Sequence, residues 1–142
     1  MSEIAREHFY ERIKDAPHAA RGFFESIAEH FDRDNMVQPH YTDTNGGDLR
    51  LAIPGKVLGQ QRLRNFATMY WQPRKHVVFA RTYLTPDELV VLGFDNAIKP
   101  TSNSEPLNSD VRLGETVWRY GGRDFIRVLD MAKVKLLDVR LA

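Results

Sequence analysis

The chain contains no cysteine, which removes disulfides, thiolate nucleophiles and cysteine-ligated zinc and leaves nothing that needs an oxidising compartment. No apolar run approaches the roughly 18 residues that cross a bilayer. The first residues, Met1-Ser2-Glu3-Ile4-Ala5-Arg6-Glu7, mix acids with a base where an export signal would place a basic stretch and then an apolar one. No membrane span and no export are expected, and the sequence predicts a soluble cytoplasmic protein. The third absence is local. Between Asp48 and Asp87 there is no aspartate or glutamate, while Arg50, Lys56, Arg62, Arg64, Arg74, Lys75 and Arg81 all fall inside. That stretch carries +7 in a chain of net charge +1, leaving −6 for the rest. Such asymmetry points to an anionic partner.

Motifs of catalysis are also missing. There is no nucleophile elbow and no pair of metal-binding histidines at helical spacing. The one glycine-rich stretch, Gly55-Lys56-Val57-Leu58-Gly59, lacks the lysine and hydroxyl that complete a phosphate loop and reads as a turn. A magnesium nuclease core needs an acid, then an acid one residue before a lysine on adjacent strands. Asp95 with Lys99 has the wrong spacing, and Asp130 with Lys133 falls on a predicted helix. His30, Asp32, Asp34 and His40 could be imagined as a metal cluster, but a solvated loop is the better reading. No catalytic residue, cofactor or metal is predicted.

At 142 residues, 42% hydrophobic and 27% charged, the chain has the size and composition of one globular domain. Ile4, His8, Phe9 and Ile13 recur at the helical period, and Ala20, Phe24, Ile27 and Phe31 do so again. Two helices follow, broken near Asp15-Ala16-Pro17. Extended segments at Val37 to Thr42 and Leu49 to Ile53 flank an Asn45-Gly46 hairpin signal. Leu63 to Trp71 and His76 to Leu84, rich in aromatic and β-branched residues, predict a long central hairpin turning at Gln72-Pro73-Arg74-Lys75. Thr85-Pro86-Asp87-Glu88 has the form of a helix cap, yet Leu89-Val90-Val91-Leu92 after it favours a strand, so that element stays open. The polar stretch from Asp95 to Asp110 predicts a mobile loop. A strand at Val111 to Leu113, a Gly121-Gly122 turn and a helix opened by Asp124, with Phe125, Leu129, Ala132 and Leu136 on one face, complete an α+β fold. Its terminal helix is expected to pack on an antiparallel sheet.

The run Arg64-Asn65-Phe66-Ala67, the strand ending near Trp71, the Pro73-Arg74-Lys75 turn, the apolar strand from Val77, and Val111-Arg112-Leu113 before a terminal helix form one unit. Together they resemble a widespread uncharacterised bacterial domain, often called a predicted transport protein, found alone or appended to restriction-type and other DNA-associated proteins. The resemblance covers about the last two-thirds of the chain and implies a fold, with no catalytic residues to carry over.

Strand alternation puts Arg62, Arg64, Phe66, Thr68 and Tyr70 on one face of the first central strand, and Val77, Phe79, Arg81 and Tyr83 on one face of the second. Matching faces gives a surface of arginines and aromatics, apt for stacking on bases and neutralising phosphate. The bland alternative is that Phe66, Tyr70, Phe79 and Tyr83 are core residues under a helix. The expected function is a non-enzymatic module that binds nucleic acid or another polyanion through Arg50, Lys56, Arg62, Arg64, Phe66, Tyr70, Arg74, Lys75 and Arg81. A protein-interaction domain, as a homodimer or a subunit of a defence or restriction-type assembly, whose basic face docks an acidic protein partner, is the first alternative. A pocket whose arginines clamp a small anion is the second.

Overall fold

The computed structural model describes residues 3–57, 60–99 and 108–141; residues 3, 55–57, 60–62, 140 and 141 are described by backbone alone. Two helices, α1 (Glu3–Arg12) and α2 (His18–Asp32), lead into strands β1 (Gln38–Thr42), β2 (Asp48–Val57), β3 (Gln60–Gln72) and β4 (Val77–Thr82). Helix α3 (Pro86–Val91), strand β5 (Ser109–Leu113) and helices α4 (Glu115–Tyr120) and α5 (Gly122–Leu141) follow. The five strands lie in sequence order, each antiparallel to the next. The fold is α+β, as the periodicities predict. None of the described helices is long and apolar enough to cross a membrane.

The predicted helix faces build the core. Ala20, Phe24, Ile27 and Phe31 of α2 and Phe125, Leu129, Ala132 and Leu136 of α5 are all buried. They meet a sheet face of Leu49, Leu51, Ile53, Ala67, Met69, Val78 and Ala80, also buried. Removing each large apolar side chain from water stabilises the fold by roughly 1.5–3 kcal/mol. Along α1 and the turn after it, the buried face is turned slightly from the expected one: Phe9 of α1 and Ile13 just beyond it are buried, whereas Ile4 is 65% exposed and His8 is exposed.

Local chemistry decides the open cases. The Thr85 hydroxyl accepts from the Glu88 amide and the Glu88 carboxylate accepts from the Thr85 amide, a reciprocal cap with Pro86 in the first turn. Of the apolar run after it Leu89 is buried while Val91 is 86% exposed, so a helix serves better than a strand. Gly121-Gly122 is the junction of two helices rather than a plain turn, and α5 begins at Gly122, two residues before the predicted Asp124. Gly55-Lys56-Val57, read as a turn, instead continues β2 against β3, since pairing satisfies backbone groups that a turn would expose. The polar stretch from Asp95 to Asp110 is pinned at both ends. Ile98 bridges Asp110, the Asn96 amide donates to the Arg112 carbonyl, and Ser109 and Asp110 already belong to β5. Residues 100–107, where the rest of that loop falls, lie outside the described residues.

The β3–β4 turn closes on His76, whose φ of +57° is unusual for a residue with a side chain. Its ring stands 5.2 Å from Trp71 and 5.4 Å from Trp118, which are 5.7 Å from each other, all edge to face. The Trp118 indole N–H donates to the His76 carbonyl at 3.4 Å. This cluster ties α4 to the hairpin.

Candidate nucleic-acid interface

With helices filling one face of the sheet, alternation turns the other set of side chains outward. Arg50, Thr68, Tyr70, Phe79 and Arg81 are only partly buried, and they line a concavity of about 480 Å³ together with Asn45, Asn65 and Asn108. Register orders them. His40, Arg50, Thr68, Arg81 and Asp110 pair in turn across all five strands, and Tyr70, Phe79 and Arg112 form the next row. The Tyr70 and Phe79 rings are stacked at 4.8 Å and 30°, with the Arg112 guanidinium 6.0 Å from the Phe79 centroid.

Both arginines of the first row are held by carboxylates. Arg50 donates from Nε and Nη2 to Asp48, which is fully buried and also accepts from Thr42 Oγ1 and Asn45 Nδ2. Arg81 donates from Nε and Nη2 to Asp110 at 2.7 and 3.1 Å. Paired this way each guanidinium is fixed in orientation, and Nη1 of each makes no hydrogen bond among the described residues. Burial, the larger influence, and the nearby Arg50 charge hold the His40 imidazole below its ordinary value of 6.5. Its Nδ1 is buried with no hydrogen-bond partner among the described residues.

The nine residues singled out from the sequence divide. Arg50, Tyr70 and Arg81 come together on the open face, but Arg50 and Arg81 are neutralised by Asp48 and Asp110 rather than standing as unpaired cations. Arg74 and Lys75 are exposed in the β3–β4 turn with no ion pair among the described residues. Phe66 is a core residue, 1% exposed, with its ring 5.6 Å from Phe31 of α2. The cause is a bulge: Leu51 pairs with Ala67 and Ala52 with Asn65, leaving Phe66 as an extra residue and shifting the phase of everything before it. Arg64 therefore sits opposite buried Ile53, out of phase with Thr68 and Tyr70. Tyr83, matched to the same face by alternation, is also buried, with Lys135 of α5 5.5 Å from its centroid. Lys56 and Arg62 hold paired positions in β2 and β3, but their side chains lie outside the described residues.

Sequence reasoning missed Arg112 as a member of this face. A signal was present, because Val111 and Leu113 are apolar and Arg112 alternates with them, but nothing local shows which strand β5 joins. Among the described residues no three His, Asp or Glu side chains converge as a metal site. His30 pairs with Asp130 at 3.3 Å and Asp34 with Lys133, both on α5. Comparisons with family models, curated proteins and solved structures return no match for this chain.

Proposed function

We propose that the protein is a binding module for single-stranded nucleic acid, which lies along β3 and β4 on the open face. The stacked, partly exposed Tyr70–Phe79 pair supports this reading, because Arg50 and Arg81 lie in the row on one side of it, the Arg74-Lys75 turn lies on the other, and Arg112 extends its own row. Strand rise of about 3.3 Å per residue spreads these groups over roughly 20 Å from Thr68 to the turn. An unpaired base stacks on the aromatic pair, and the carboxylate-held arginines present fixed N–H groups to sugar or phosphate. Arg74, Lys75 and Arg112 supply the net charge.

Anisotropy titration of a labelled single-stranded oligonucleotide at several salt concentrations tests this. Three unneutralised contacts predict a slope of log affinity on log salt of about −2, and Arg74→Ala with Lys75→Ala should remove about 1.4 of it. No binding to oligonucleotide or heparin at low salt would dispose of the proposal. A second reading, a pocket for a small anion, draws on the two carboxylate-braced arginines lining one concavity. A mononucleotide binding as tightly as the oligonucleotide would favour it.

A further inference from the structure

We infer that the groove between α2, α4 and α5, on the helical side of the molecule, is a docking site for an acidic segment of a partner protein that carries a large apolar side chain. The groove has a volume of about 650 Å³ and is floored by Ala19, Gly22, Phe23 and Ile126. Its rim holds Arg119, Arg123 and Arg127, all exposed, and Tyr120, which is 81% exposed. Arg119 is paired with Glu115 and His30 with Asp130, while Arg123 and Arg127 have no ion pair among the described residues. Like charges four apart on one helix repel, so the Arg123–Arg127 pair gives α5 nothing through its own mutual contact. An apolar floor inside an arginine and tyrosine rim is the composition of an interface centre, and its charge selects carboxylates.

Gly22 gives the second observation. It sits inside the 15-residue helix α2, where glycine lowers helix stability relative to alanine. A Cβ placed there would meet nothing within 4 Å beyond its own helix backbone and chain neighbours. Gly22 has no left-handed φ and its Cβ position is free of packing contacts, so alanine would fit there, and glycine leaves that part of the groove open. The occupant therefore places its apolar side chain over Gly22 and its carboxylates against Arg123 and Arg127.

The test uses a fluorescein-labelled peptide of glutamates around a central Leu-Trp pair, titrated into the full chain. Wild type binds, and added salt weakens it. Gly22→Trp fills the groove and Arg123→Glu with Arg127→Glu reverses the rim, each weakening the peptide by about tenfold or more. Gly22→Ala, which leaves the groove open, binds like wild type, and circular dichroism shows all these variants folded. Arg74→Ala with Lys75→Ala leaves peptide binding unchanged, separating this surface from the sheet face. The inference is overturned if wild type does not bind the peptide, if Gly22→Trp binds as well as wild type, or if an oligonucleotide displaces the peptide equally from wild type and the turn variant.

Discussion

At the scale of single residues, His40 shows how the open face is tuned. Burial depresses its basicity, so the folded chain favours the neutral ring while the unfolded chain takes up a proton more readily. Its contribution to stability is complete above the ordinary imidazole value of 6.5 and is lost as pH falls below that toward the folded-state pKa. Melting temperature should therefore drop between about pH 7 and 5, and His40→Gln should flatten that part of the profile; an unchanged slope in the variant would exclude His40 as the cause. Nothing in the sequence around Gln38-Pro39-His40 marks this residue. Its environment is created by burial in the sheet and, to a lesser degree, by Arg50 opposite it on β2, and register across a hairpin cannot be read from composition.

Among the elements, strand β3 carries the sharpest lesson. Its existence, its partner β4 and the turn between them are all legible, because β-branched and aromatic residues cluster on both sides of Pro73. Which residues share a face is not, because one extra residue at Phe66 breaks the two-residue period. The bulge makes a prediction that separates two aromatics four positions apart. Phe66→Ala empties a site against Phe31 and should destabilise the protein by about 3–5 kcal/mol in denaturant melts. Tyr70→Ala, on the open face, should leave the melt nearly unchanged while weakening oligonucleotide binding by about 1–3 kcal/mol. Equal destabilisation by both would mean that Tyr70 is structural. Helix α4 was hidden for a different reason: six residues between glycines are too few for a helical period to show, and its anchor, Trp118, packs on the distant His76.

For the whole molecule, the acid-free stretch is real in sequence but is partly neutralised in space. Asp48 stands at its very edge and Asp110 arrives 29 residues after Arg81, so the charge a ligand meets is set by topology and cannot be read from a running count. The same long-range pairing fastens the C-terminal helix: Lys133 of α5 binds Asp34 just beyond α2, and this hydrogen bond keeps the Asp34 carboxyl below its ordinary value of 3.8. Stability from this pair is present above that value and disappears as pH falls through the depressed one. Acid unfolding monitored below about pH 4 should begin at higher pH, relative to neutral stability, in wild type than in Asp34→Asn, where no carboxylate is left to titrate; identical acid limbs would contradict this. The Trp71–His76–Trp118 cluster has a further use. The chain has two tryptophans, and both stand in it, edge to face across the junction of hairpin and α4. Both indoles therefore report on one place, next to the Arg74-Lys75 turn, so unlabelled tryptophan fluorescence is the natural monitor for undocking of α4 and for the ligand proposed at the turn.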